Sequence, residues 1–127
     1  MVKVAFNNVY KTYKGLDNLN GCVYALHNIS FSVQPNEILV LIGPSGCGKT
    51  TILNLIAGFI KPTNGEVLFD EKPVTGPGPE RAIIFQEYAL FPWYSVRNNI
   101  EFGLVAKKIP PGFRRQISDK LLQMINL

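Results

Sequence analysis

Residues 38–42 (Ile38, Leu39, Val40, Leu41, Ile42) form an unbroken aliphatic run, three of them β-branched, which predicts a strand buried on both faces. A glycine-rich turn follows at once. Residues 50–60 then place Ile52, Leu53, Leu55, Ile56, Phe59 and Ile60 at helical spacing, which predicts a helix. Upstream, alternation over residues 2–6 predicts a short strand, residues 9–15 a strand end and turn, and residues 15–22 a loop. Residues 23–33 alternate through Ile29, Phe31 and Val33 and predict a second strand, antiparallel to the first, with a turn at 34–37. Downstream, Pro62 and Gly65 lie in a break, and residues 66–69 predict a strand with a turn at 70–73. A rigid loop over 75–79 leads to a short buried strand at 82–85 that ends at Gln86. An aromatic cluster follows (Tyr88, Phe91, Trp93, Tyr94), then a helix over 96–104 with Ser95 as its cap. After a break at 109–112, residues 114–125 predict a closing helix with Ile117, Leu121, Leu122 and Ile125 on one face. Neither an internal repeat nor a low-complexity segment is present.

The turn between the predicted buried strand and its helix reads Gly43, Pro44, Ser45, Gly46, Cys47, Gly48, Lys49, Thr50, Thr51. It fits G-x-x-x-x-G-K-[ST], the phosphate-binding loop. The chemistry calls for these residue types. Three glycines let the backbone take positive φ and bring its amides close to an anion. The helix behind them aims its free N–H groups and positive dipole end at the same point. Lys49 can reach the β- and γ-phosphates, the Thr50 hydroxyl is placed to ligate Mg²⁺, and Thr51 to bond a phosphate oxygen. An ordinary strand-to-helix turn has no need of a lysine behind three glycines.

Composition narrows the remaining classes. A chain of 127 residues with 46% hydrophobic content is that of a globular domain with a modest core. The net charge of +4 comes from basic residues scattered along the chain, with Lys107-Lys108 and Arg114-Arg115 the densest clusters. That pattern reads as a solvated basic face, not a nucleic-acid surface. Two cysteines, Cys22 and Cys47, make no disulfide framework, and a bridge at Cys47 would obstruct the loop. A reducing cytosol fits them. No stretch approaches 18 apolar residues and no signal-peptide core opens the chain, so a soluble protein is expected.

Taken in order, these segments resemble the N-terminal half of the ATP-hydrolysing subunit of ATP-binding cassette (ABC) transporters. Residues 7–13, ending in Tyr13, resemble the family's opening segment, and residues 26–33 its second strand. Residues 43–51 match its form of the phosphate loop, residues 57–67 the stretch after the loop helix, and residues 84–86 with 90–93 the glutamine loop and its sequel. The similarity covers residues 3–127, and the wording of residues 76–81 and 91–93 resembles the importer branch for nitrate, sulfonate and taurine. The resemblance implies an α/β fold: a P-loop NTPase core with an N-terminal antiparallel β subdomain drawn from residues 2–33 and 66–75, truncated before the second half of the ATPase domain. It implies a nucleotide-binding core over 1–86 and the start of a helical subdomain over 87–127. ATP and Mg²⁺ are the implied cofactors. Tyr13 would stack on adenine, residues 43–51 would hold the phosphates, and Gln86 would touch Mg²⁺ or the attacking water. Residues 88–94 would lie near the groove that receives a cytoplasmic helix of the membrane subunit. The implied partners are transmembrane permease subunits, a second ATPase subunit and, indirectly, a solute-binding protein, at the cytoplasmic face of the membrane. No nucleic acid is implied.

The family also uses a Ser-Gly-Gly signature, a water-polarising Asp-Glu pair after four apolar residues, and a distal histidine. None follows Gln86, where the acids are Glu87, Glu101 and Asp119. Val67-Leu68-Phe69-Asp70-Glu71 imitates the Asp-Glu strand, but three apolar residues precede Asp70, and Lys72-Pro73 follows as in a surface turn. His27 reads as a surface residue. The chain alone is therefore expected to bind Mg-ATP without appreciable turnover and to leave apolar surface uncovered. A small P-loop kinase fits less well: 42 residues precede the loop and no arginine cluster suits a lid. A non-catalytic nucleotide-binding module shares the same sequence features.

Overall fold

The computed structural model describes residues 2–14, 21–85 and 89–127. The chain divides into two compact units, Met1–Ile83 and Ile84–Leu127.

The first unit is a four-stranded antiparallel sheet with one helix packed on it. Its strands are β1 (Val4–Lys14), β2 (Cys22–Val33), β3 (Asn64–Phe69) and β4 (Lys72–Pro73), in the order β2-β1-β3-β4. The helix α1 (Lys49–Ala57) lowers Ile52 and Leu55 onto Val4, Phe6, Val9, Leu26 and Val67, and these seven residues make the core. Strict alternation from Val4 and Phe6 would turn Asn8 inward. Instead the β1–β2 ladder slips between Phe6 and Val9, and Val9 is buried. The slip is a bulge carried by Asn8 (φ 47°) opposite Asn28 (φ 52°), whose side chains bond at 3.0 Å. Asparagine is one of the few side-chain-bearing residues that adopt that left-handed backbone readily. Gly65 sits against the bulge, where a Cβ would meet the Asn8 carbonyl oxygen at 2.2 Å.

The imitation Asp-Glu strand is resolved by this sheet. Asp70 (φ 49°) and Glu71 (φ 63°) form the two-residue turn joining β3 to β4, and Asp70 pairs with Lys3 at 2.9 Å. His27 is exposed on β2, edge-on to Tyr10 and Tyr24.

Three sequence expectations need correction. Residues 38–42 are not a strand buried on both faces. They lie outside the sheet with no regular secondary structure, and Ile38 and Ile42 are 89% and 92% exposed, while Leu41 packs against the core. The predicted strand at 82–85 likewise has no ladder, and Ile84 is 99% exposed. A sheet strand exists only where a neighbour accepts from its N–H groups and donates to its C=O groups, and among the described residues no strand is laddered to either run. The helix predicted to residue 60 stops at Ala57. Gly58 takes φ 80° and ends it, with Phe59 N–H reaching back to the Asn54 carbonyl in a Schellman turn.

The second unit holds α2 (Val96–Ala106) and α3 (Pro111–Met124). Ser95 caps α2 by accepting the Asn98 N–H at 3.2 Å. The contact between the helices is polar. Arg97 donates to the buried Ser118 hydroxyl at 2.9 Å and pairs with Asp119, while Ser118 donates to Glu101 at 2.7 Å. The apolar face expected on α3 is accordingly open, with Ile117, Leu121 and Ile125 exposed. No helix among the described residues is long and apolar enough to cross a membrane.

Candidate phosphate-binding site

The loop 43–48 joins the apolar run 38–42 to α1, and its shape follows from its glycines. Gly46 (φ 80°) and Gly48 (φ 97°) occupy the left-handed region. Gly48 is also wedged against β2, where a Cβ would stand 2.6 Å from the Ala25 carbonyl oxygen and 2.8 Å from a Leu26 methyl. At Gly43 a Cβ would fall 2.7 Å from the Cys47 sulfur, so the loop closes on itself. Gly48 is the N-cap of α1, and it offers no capping side chain. No acid stands in the first turn either. The first amides of a helix have no intrahelical acceptor, so here they face outward together with the positive end of the helix dipole.

Lys49 bends back over this loop. Its Nζ donates to the carbonyls of Gly43 at 2.7 Å and Pro44 at 2.6 Å, and lies 3.4 Å from the Cys47 sulfur. Thr50 is exposed, Thr51 is half-buried, and Ser45 and Cys47 are exposed. The first turn of α1 thus gathers open amides, two hydroxyls and one ammonium with no carboxylate among them. That is the donor set of an anion site whose hydroxyls can also meet a hard cation.

Tyr13 reaches the same neighbourhood through β2. It pairs with Val23, and Ala25, the residue that backs Gly48, lies two positions along. Two residues of strand span about 7 Å. The Tyr13 ring is partly exposed, with the Lys11 ammonium 5.2 Å from its centre. Gln86 and Tyr88 lie outside the described residues.

Two residues with structural roles escaped the sequence reading. Arg81 is nearly buried, donates to the Gly76 carbonyl, pairs with Glu80 at 3.1 Å and lies over the Phe69 ring. Asn99 makes four side-chain hydrogen bonds to the turn that carries Phe91 and Tyr94. The signal for Asn99 was faint: one amide four residues after a capping serine. An apolar groove of about 600 Å³ runs from Lys49 and Thr50 along Leu39, Val40 and Leu53.

Known proteins resemble this chain along nearly all its length. The family described as "ABC transporter" matches residues 26–127. A putative ATP-binding protein of Brucella abortus (strain 2308) is 46% identical over 98% of this chain and 45% of its own length. The taurine import ATP-binding protein TauB of Pelagibacter ubique is 39% identical over 100% of this chain and 46% of its own. The fold is similar to a dimeric ATP-binding cassette in a post-hydrolysis state bound to ADP and Pi (TM-score 0.79, 31% identity, 98% of this chain and 57% of that one). The chain therefore spans less than half the length of these curated relatives.

Proposed function

Because the chain belongs to the ABC transporter family, we propose that it supplies the phosphate- and adenine-binding half of a transporter's ATP-driven subunit. The observation that supports this best is the phosphate loop: left-handed glycines, an uncapped helix start and a lysine resting on the loop's own carbonyls. The loop Gly43, Pro44, Ser45, Gly46, Cys47 and Gly48 cradles the phosphates through the main-chain N–H groups of its non-proline residues; Pro44 has none to give and serves to shape the turn. Lys49 exchanges two carbonyl partners for the β- and γ-phosphate oxygens. The Thr50 hydroxyl and Gln86 hold Mg²⁺, Thr51 bonds a phosphate oxygen, and Tyr13 stacks on the adenine. When bound, Mg²⁺ draws charge from the terminal phosphates.

Turnover needs a carboxylate free to orient water. Among the described residues beyond Gln86, Glu101 bonds Ser118 and faces Arg114, and Asp119 pairs with Arg97, so both serve the helix contact. We expect the 127-residue chain to bind Mg-ATP without appreciable hydrolysis. Calorimetric titration with Mg-ATP tests this. Lys49→Ala should weaken binding at least tenfold, about 1.4 kcal/mol, with unchanged far-ultraviolet dichroism. Equal affinity for both proteins would defeat the reading, as would turnover by the chain that Lys49→Ala abolishes.

The taurine import relatives favour a small anionic solute (taurine, another sulfonate or nitrate) carried inward. The subunit then works at the cytoplasmic face of the membrane against transmembrane permease subunits. It pairs with a second ATPase subunit, as the dimeric cassette does, and is supplied by a solute-binding protein. Uptake of labelled taurine, nitrate and alkanesulfonates by cells with and without the intact gene discriminates among these solutes. Unchanged uptake of all three refutes the solute class.

A further inference from the structure

The second unit contains an exposed aromatic turn held by one half-buried side-chain amide. Residues 89–96 carry no charge. Leu90 and Trp93 stand 68% and 73% exposed, while the Phe91 ring lies inward against Phe102 at 4.6 Å, Tyr94 at 5.5 Å and Trp93 at 5.6 Å. An exposed apolar turn of this kind would ordinarily sample many conformations. Here Asn99, one turn into α2, binds it. Its Oδ1 accepts the Phe91 N–H at 2.8 Å. Its two Nδ2 hydrogens are shared among the carbonyls of Phe91 at 3.1 Å, Tyr94 at 3.2 Å and Ser95 at 3.1 Å. The side chain thus engages both the N–H and C=O of Phe91, as a paired strand residue would. It also reaches the Tyr94 carbonyl, and adds a second donor to the Phe91 and Ser95 carbonyls, which already accept the Tyr94 and Asn99 N–H groups at 3.0 Å.

We propose that Asn99 is the positioning residue of the subunit's partner-facing surface: it holds the 91–95 turn rigid so that Trp93 and Leu90 meet an apolar helix of the transmembrane subunit in a single orientation. The partner's identity rests on the function proposed above; the positioning itself rests on the four bonds. A charge-free aromatic face suits the apolar side of a helix and gives no foothold to phosphates or acidic peptides. Holding the turn in advance removes ordering entropy from association, which is where a positioning residue acts.

Trp93 is the chain's sole tryptophan, so its spectrum reports this turn alone. Asn99→Ala and Asn99→Asp are compared with the unaltered protein. Asn99→Asp keeps the acceptor for Phe91 but loses the donor to three carbonyls. Both should lose most of the Trp93 near-ultraviolet dichroism, with far-ultraviolet helix signal retained and Mg-ATP affinity within twofold. The Phe91 amide should exchange with solvent at least tenfold faster in Asn99→Ala. Full-length protein co-expressed with its transmembrane subunits should then co-purify with them at least tenfold less when it carries Asn99→Ala or Trp93→Ala. An unchanged Trp93 spectrum overturns the positioning role. So does rapid Phe91 exchange in the unaltered chain, a measurement that holds even if a variant fails to fold. A loosened Trp93 with undiminished co-purification in Asn99→Ala, against a loss in Trp93→Ala, overturns the need for rigidity and leaves the transporter reading standing. If Trp93→Ala also co-purifies normally, the surface is not partner-facing. If the unaltered protein captures no transmembrane subunit, the transporter reading itself fails.

Discussion

Gly46 and Gly58 share a left-handed φ of 80° and differ in what surrounds the missing Cβ. At Gly46 nothing lies within 4 Å of that point, whereas at Gly58 the Gly76 carbonyl oxygen lies at 2.2 Å and its carbon at 2.4 Å. An alanine in the left-handed region costs about 1–2 kcal/mol. Reduced freedom of the unfolded chain offsets roughly 0.4–1 kcal/mol of that. Gly46→Ala should therefore destabilise the first unit by about 1 kcal/mol. Gly58→Ala pays the same balance and must also push a backbone carbonyl aside. That carbonyl is held by Arg81, so it cannot yield freely. Overpacking adds about 1–3 kcal/mol, giving roughly 2–4 kcal/mol in all. Urea unfolding followed by far-ultraviolet dichroism measures both variants, and the midpoint should fall two to four times further for Gly58→Ala at similar slope. Equal losses would refute the reasoning, because they would mean that the loop 75–79 does not press on the end of α1.

Tyr13→Ala should weaken Mg-ATP binding about tenfold while Tyr13→Phe retains it, since stacking uses the ring face and is worth roughly 1 kcal/mol or somewhat more; calorimetric titration separates them. Ser118→Ala should cost about 1–3 kcal/mol in the second unit, because Arg97 and Glu101 each lose a buried partner; thermal melting monitored at Trp93 reads it. Lys3→Met should change stability by no more than about 1 kcal/mol, since both ends of its pair with Asp70 are more than a third exposed; the urea midpoint checks this. Gly65→Ala should open the bulge at Asn8, speeding amide exchange across β1 and β3, because its Cβ would meet two backbone carbonyls within 2.5 Å.

Local chemistry was legible in the chain before any coordinates. The loop from Gly43 to Thr51 is a contiguous motif whose left-handed glycines and returning lysine are set within a few positions, so its shape could be read as a unit. The antiparallel pair, the Asp70-Glu71 turn and the Ser95 cap were legible for the same reason: alternation, turn residues and capping oxygens act over a few positions. What the chain could not disclose were matters of who stands beside whom. The run 38–42 carries every local mark of a buried strand, yet burial belongs to the neighbours, and none among the described residues pairs with it. The bulge at Asn8 shifts the inward phase of β1 because β2 and β3 both press on it, which alternation alone does not encode. Asn99 and Arg81 looked like ordinary polar residues. Only the folded turns brought their donors to backbone carbonyls, and that placement depends on the path of the chain around them, which no short motif states.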